Sequence, residues 1–337
     1  MSQVITFDPK KAVYTPPEVT QYGLAAIENI KNSSQRALSV GMAEIRDYYA
    51  PLMPGQLSAV IAQTSNYKSG FLHFLEKVAA AQLMAQGRDN EVLIHISVEE
   101  SIEEQSFLLL SRESGENAGR LARGQVQDWD KLRQAAIQVG TVPIYRIGES
   151  LARSDDFPDL TISNMIRSII ALASGEVTRK PLTIAGLFFD YLQAFPMDRE
   201  AKKAQADKQR RLQVREDIYR LRQAAAYFKC PVWIAVQARQ TLTGANGQFQ
   251  MPGIYDGEES SAIGQRSDRI VQLWMPKMNY PVGTEIRHNG LSFMVEEDLI
   301  FIKVGKQRGG LPSGKTWMCK IDFAINEIAP VTNEAIR

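Results

Sequence analysis

Cysteine and histidine are scarce in this sequence: Cys230 and Cys319 are its two cysteines, and His73, His95 and His288 its three histidines. A disulfide framework or a Cys/His zinc cluster is therefore excluded as the organising feature. Long apolar runs are missing too, and none approaches the ~20 residues a helix needs to span a bilayer. The first residues, Met1 to Asp8, lack the basic flank and apolar stretch of a secretory signal. Together these absences predict a cytoplasmic protein with no membrane association. Net charge is also small, with 39 Lys and Arg against 38 Asp and Glu. The average thus announces no polyanionic partner, although binding depends on where charge sits.

What is present is ordinary globular composition, 44% hydrophobic and 23% charged over 337 residues. That rules out wholesale disorder, and the length allows two domains or one large α/β core. Residues 1–18 are polar and turn-rich, with Pro16-Pro17 near their end, and read as an arm. Leu24, Ala25, Ile27 and Ile30 predict a short helix over Val19–Lys31, broken by Asn32-Ser33-Ser34.

Beyond this the chain alternates. Apolar β-like runs fall at Leu57–Ala62, Val92–Ser97, Val142–Ile147, Leu182–Asp190, Pro231–Gln237, Arg269–Trp274, Leu299–Val304 and Trp317–Phe323. Helical patterns between the first five cover Gly70–Gln86, Ser101–Arg112, Trp129–Val139, Ile162–Ala173 and Gln213–Phe228. Such alternation predicts βαβ units and a mostly parallel sheet flanked by helices. The last strands follow one another with short polar turns, which predicts a C-terminal β-hairpin region. One charge run stands apart: Arg199–Arg222 holds nine basic and four acidic residues, leaving the remainder net acidic. It reads either as a solvated loop and helix face or as a nucleic-acid-facing loop after a sheet strand.

Two segments compete as a phosphate loop. Gly309-Gly-Leu-Pro-Ser-Gly-Lys315-Thr316 matches the pattern Gly-x-x-x-x-Gly-Lys-Ser/Thr literally. The mechanism needs a helix after the loop, because backbone N–H groups at the helix start cradle the phosphates. Here Trp317, Cys319, Ile321 and Phe323 alternate with Met318, Lys320 and Asp322, which is a strand. The match is read as a hairpin turn. Ala62-Gln63-Thr64-Ser65-Asn66-Tyr67-Lys68-Ser69 breaks the pattern but follows an apolar strand and opens a helix bearing Phe71, Phe74, Leu75 and Val78. A lysine for β/γ-phosphates and a hydroxyl for magnesium are what that geometry needs. Leu182–Asp190, an apolar strand ending in an acid, supplies a partner for the metal.

These residues resemble the DnaB-type replicative helicases, specifically their RecA-like C-terminal motor domain. Asp190-Tyr-Leu-Gln193 resembles that family's metal-binding strand end, and Pro54–Ala62 its approach to the phosphate loop. His95-Ile-Ser-Val-Glu99 resembles the strand whose glutamate activates water. Cys230–Arg239 is similar to the strand whose glutamine senses the γ-phosphate, and Asp256–Asp268 to a DNA-contacting loop. Lys306-Gln-Arg308 and the glycines after it resemble a hairpin whose lysine and arginine reach a neighbour's nucleotide.

The resemblance implies an α/β fold, a RecA-like P-loop NTPase core, with an arm and linker helix at 1–35, the core at 36–330 and a tail at 331–337. It implies ATP and Mg²⁺ as ligands, held by residues 62–69, with Ser69 and Asp190 on the metal. Glu99, Lys68, Gln237, Lys306 and Arg308 take the catalytic roles. The implied partners are single-stranded DNA, contacted by Arg210, Arg211, Glu259, Ser260 and Ser261, and further copies of the chain in a hexameric ring.

Three departures accompany the resemblance. Tyr67 replaces the glycine before the lysine, where its ring either crowds the phosphates or turns outward to stack on a base. Glu258 stands where the family has a basic residue, and Gly264 and Arg266 replace acids. The family's N-terminal collar is absent from residues 1–35. Two functions are therefore expected: an ATP-dependent helicase or translocase core in DNA replication, or a nucleotide-binding, hydrolysis-poor scaffold.

Overall fold

The computed structural model describes residues 15–33, 36–42, 51–150, 159–196, 206–239, 249–258, 261–288, 290–308 and 314–331. The chain divides into two compact units, Met1–Ala37 and Leu38–Arg337. The first unit contains helix α1 (Pro16–Ser33), longer at both ends than its apolar pattern predicts. Proline is tolerated in a first helical turn, where the missing N–H has no intrahelical partner. The Glu18 carboxylate accepts from the Thr15 backbone and hydroxyl at 2.7 Å each. Val19, Tyr22, Leu24 and Ile27 are exposed on this helix.

The second unit is built on a nine-stranded sheet. Its elements are β1 (Leu57–Ala62), α2 (Lys68–Ala85), β2 (Glu91–Ser97), α3 (Ile102–Ser114), α4 (Ala118–Leu121), α5 (Trp129–Thr141), β3 (Ile144–Ile147), α6 (Ile162–Ser174), β4 (Thr183–Asp190), α7 (Ala206–Phe228) and β5 (Val232–Gln237). They continue with α8 (Ala262–Arg266), β6 (Arg269–Trp274), β7 (Glu285–His288), β8 (Leu291–Met294), β9 (Leu299–Gln307), β10 (Lys315–Asp322) and β11 (Glu327–Pro330). Strand order is β11-β10-β9-β6-β1-β5-β4-β2-β3. Strands β6 through β3 pair in parallel, and β9, β10 and β11 add antiparallel at the other edge.

Burial on both faces explains the unbroken apolar runs. All six residues of β1 are buried. Val60 and Ala62 pack with Phe71, Phe74 and Leu75 of α2, whereas Ala59 and Ile61 point into the layer formed by α6 and α7. Period-two alternation thus divides two helical layers between the faces of one strand. A smaller cluster gathers Trp274, Phe293 and Phe301 around the β7–β8 hairpin.

The fold agrees with the α/β, mostly parallel reading, with four local corrections. Helix α7 begins at Ala206 rather than Gln213, because the charged residues before Gln213 extend it. β9 runs past Val304 to Gln307, since Lys306 and Gln307 pair with Ile270 and Arg269. The third strand starts at Ile144, not Val142. The β7–β8 hairpin and the short helices α4 and α8 have too little periodicity to be read in the sequence. Lys315–Asp322 pairs antiparallel with β9, so a strand follows the literal phosphate-loop match. Cys230 and Cys319 are buried and unbridged. Among the described residues, no helix is long and apolar enough to cross a membrane.

Candidate nucleotide site

Parallel strands bring their C-terminal ends to one sheet edge, where ligands of open α/β sheets bind. Register sets the details. Ala62 at the end of β1 lies opposite Gln237 at the end of β5, and Ser97 of β2 opposite Asp190 of β4. Residues far apart in the chain therefore converge without any contribution from local sequence.

The segment Gln63–Tyr67 connects β1 to α2 and is fastened by its own polar side chains. Asn66 is buried; its amide donates to the Thr64 carbonyl at 3.1 Å, and its Oδ1 accepts from the Met275 backbone at 2.7 Å. Ser65 and Tyr67 both adopt left-handed backbone, φ 63° and 65°. That is the conformation glycine reaches without strain, so Tyr67 carries a glycine-like backbone despite its side chain.

The Tyr67 ring takes neither of the two placements left open by the sequence. It turns into the protein, edge-on to Phe323 at 5.5 Å, with its hydroxyl donating to Asn326 Oδ1 at 2.5 Å. Burial pushes this phenol up to about 12. The ring occupies the hollow above Gly70, where an added Cβ would meet ring carbons at 2.5 Å. Gly70 is thus matched to Tyr67, three residues before it, a pairing that the sequence alone does not show.

Lys68 and Ser69 open α2. The Lys68 ammonium donates to the Gln63 carbonyl at 3.0 Å and to Gln237 Oε1 at 2.7 Å. Burial brings its pKa down to about 8, against the attraction of Asp190 and Glu99. Gln237 in turn donates from Nε2 to Thr64 Oγ1 at 2.7 Å, so one amide bridges the lysine and the loop. Its backbone carbonyl accepts from the Glu258 N–H at 2.8 Å, and Ala238 bridges Gly257. The Gln193 side chain joins the Gln237 and Glu258 carbonyls at 3.2 Å each. The loop, Gln237 and the start of the Asp256–Asp268 segment form one hydrogen-bonded path.

Opposite the lysine lie the carboxylates. Burial raises the Asp190 carboxyl above its ordinary range, and a hydrogen bond from Ser69 offsets part of that rise. Its Oδ1 is buried and has no hydrogen-bond partner among the described residues. Burial followed by repulsion from Asp190 raises Glu99 as well. An orphaned carboxylate oxygen, a hydroxyl and a second carboxylate nearby form a hard-oxygen donor set that fits Mg²⁺.

Behind this site is a buried network that sequence reading missed. Glu76 of α2 accepts from His73 Nδ1 at 2.7 Å, from His95 Nδ1 of β2 at 2.8 Å and from Arg146 of β3 at 2.8 Å. The two imidazoles stack at 4.6 Å. His73 also faces Glu100, Nε2 to Oε2 3.9 Å, and this histidine holds the Glu100 carboxyl below its ordinary range. The spacing His73-x-x-Glu76, together with a histidine inside the apolar strand β2, is the trace this network leaves in the sequence. His73, Glu76 and His95 have metal-ligand proximity. The Arg146 guanidinium on Glu76, however, supplies the positive charge a cation would bring.

The remaining predicted residues are distributed unevenly. Lys306 donates to the Gly264 carbonyl at 2.7 Å, and Arg308 pairs with Asp268 at 3.0 Å and reaches the Gln265 carbonyl at 3.2 Å. Both lie beside α8, away from the chain's own Lys68 contacts. Gly264 is a matter of close packing, since a Cβ there would meet the Ile254 carbonyl at 2.4 Å. Arg210 donates to the carbonyls of Phe195, at 3.0 Å, and Gln193, whereas Arg211 is exposed. Arg222 is also committed, to the Arg266 carbonyl at 2.8 Å and to Asp268. The basic run is therefore partly structural. Ser261 is exposed at the start of α8; Glu259 and Ser260 lie outside the described residues.

No family model matches the chain, and no curated protein matches it in sequence. Solved structures do match its fold. One is a DnaB-like replicative helicase, described with its interactions with primase, at TM-score 0.64 and 16% identity, covering 87% of this chain and 63% of that one. Another is a solved ATPase domain, at TM-score 0.66 and 17% identity, covering 93% of this chain and 98% of that one. The chain has the RecA-like fold of these ATPase domains and spans under two thirds of the first structure.

Proposed function

We propose that this chain is an ATP-hydrolysing motor of DnaB-like type that moves on single-stranded DNA in replication and works as a ring of copies. One observation carries the reading. Gln237 touches Lys68 and Thr64 with its side chain and the Glu258 segment with its backbone, so phosphate occupancy and the implied DNA loop share a residue.

In this reading Lys68 leaves the Gln63 carbonyl and Gln237 to hold the β/γ-phosphates. Ser69 and Asp190 hold Mg²⁺, which when bound neutralises phosphate charge. Glu99 orients the attacking water, and γ-phosphate bond cleavage transfers the phosphoryl group to it. Gln237, freed from the lysine, pulls on the Glu258 backbone and alters DNA contact at Ser261, Arg211 and the neighbouring Glu259 and Ser260. Lys306 and Arg308 exchange their own-chain carbonyls for the phosphates of an adjacent copy. The Tyr67 ring lies on Gly70 and against Phe323, which supports active chemistry over a hydrolysis-poor scaffold.

Coupling is tested with Gln237→Ala. The expected variant still binds ATP and hydrolyses it slowly, with stimulation by single-stranded DNA lost. Unchanged stimulation would contradict the coupling role of Gln237.

A further inference from the structure

A cavity of about 500 Å³ opens along α2. That volume lies in the range of small-molecule pockets. It is bounded by α2, α3, the α5–β3 junction and the β10–β11 turn. Ala80, Met84, Leu109, Val139 and Ile144 make most of its wall apolar. Nothing in the nucleotide chemistry uses it.

Its polar groups are positively biased. Lys77 is committed to the Ile325 carbonyl at 2.8 Å. Arg146 is committed to Glu76 and, at 3.0 Å, to Gln105. Arg112 differs: among the described residues it has no hydrogen bond or ion pair within contact range. Burial disfavours its charge, Tyr67, Glu76 and Glu100 attract it from longer range, and Arg146 repels it. A half-buried guanidinium without a partner is costly, and an anion offsets that cost through charge-assisted hydrogen bonds. Two carboxylates also line the space. Glu76 is saturated by two histidines and Arg146, and Glu113 is exposed at the rim.

We propose that this cavity binds a small amphiphilic anion, an apolar body carrying one carboxylate, with the carboxylate on Arg112 and the body against Leu109, Ala80 and Ile144. Asn326 lines the same cavity and accepts from the Tyr67 hydroxyl. Ligand entering here meets the residue that anchors Tyr67, one position before Lys68. The binding proposal stands independently of the motor reading.

Titration calorimetry of the full chain with sodium octanoate tests it. One saturable site is expected in the wild type. Arg112→Gln weakens it by about tenfold or more, the loss of one charge-assisted pair. Leu109→Trp, which fills the cavity, removes it, and circular dichroism establishes that both variants are folded. Lys68→Ala, which disables the phosphate loop, leaves octanoate binding unchanged, so failure of the motor reading is distinguishable. No saturable binding by the wild type overturns the proposal, as does unaltered affinity in Arg112→Gln or Leu109→Trp.

Discussion

The Tyr67 hydroxyl donates to Asn326 Oδ1 at 2.5 Å, joining the residue before the phosphate-loop lysine to the β10–β11 turn. Asn326 is itself buried, and its Nδ2 has no partner among the described residues. Tyr67→Phe keeps the ring on Gly70 and leaves Asn326 Oδ1 unpaired. The expected loss is about 1–3 kcal/mol in urea unfolding, the usual cost of stranding a buried polar atom. Gly70→Ala is expected to destabilise as well, by driving a methyl into the ring. Adding Tyr67→Ala to Gly70→Ala relieves that clash, so the double variant falls short of the summed losses.

Lys68 gives a pH dependence with a definite sign. Burial holds its pKa at about 8 in the ligand-free site. Phosphate favours the ammonium, so the pKa rises on binding and nucleotide association takes up a proton above about pH 8. Affinity for ATP therefore falls as pH rises through about 8, by at most about tenfold per pH unit. Fluorescent-nucleotide titrations across about pH 7 to 9.5 measure this directly, and Lys68→Ala has weak binding with no such slope.

The Glu76 network sets a second titration. Burial opposes charge on His73, but Glu76 and Glu100 outweigh it and push His73 up to about 9. Its folded value thus lies above the unfolded ~6.5. The associated stability is complete below about pH 6.5 and is lost as pH rises through about 9. His73→Gln should flatten the dependence of urea midpoint on pH over this window. Glu76→Gln strands Arg146 and both histidines and is expected to cost about 3–5 kcal/mol, as when one partner of a buried ion pair is removed.

Arg210 and Arg211 are neighbours in sequence with different surroundings. Arg210 is tied to the Phe195 and Gln193 carbonyls, and Arg211 is exposed. Arg211→Glu should weaken single-stranded DNA binding and reduce its salt slope by about one. Arg210→Ala should chiefly lower stability, by freeing the turn after Asp190. An unchanged salt slope in Arg211→Glu would return the run to a solvated surface.

Much of the fold is legible because buried parallel strands write continuous apolar runs, as Leu57–Ala62 and Val232–Gln237 do. The strand read at Trp317–Phe323 is legible through its period-two alternation, although it runs from Lys315 to Asp322. The site is legible in part. Lys68, Ser69 and Asp190 stand at recognisable strand ends, but their convergence depends on register, which no local pattern encodes. The fate of Tyr67 depends on Phe323 and Asn326, which lie near the other end of the chain. The Glu76 network joins three elements through single polar residues, each unremarkable alone. Charge runs mislead most: Arg199–Arg222 counts as one basic stretch, while packing sends Arg210 and Arg222 inward to carbonyls and Asp268.

The trans placement of Arg308 has its own assay. Its guanidinium is paired with Asp268 and half exposed. Mixing Arg308→Ala with Lys68→Ala subunits should restore part of the ATPase activity, because some interfaces then contain both intact groups. No restoration at any ratio would place Arg308 in a purely structural role.

The central claim is that this phosphate loop, with a tyrosine before its lysine, turns over ATP. Steady-state ATP hydrolysis with and without single-stranded DNA, for wild type, Lys68→Ala and Tyr67→Gly, tests it most directly. The account predicts DNA-stimulated turnover by the wild type, loss of about a hundredfold or more in Lys68→Ala, and no gain in Tyr67→Gly. A wild-type rate no higher than Lys68→Ala, rescued by Tyr67→Gly, would contradict it.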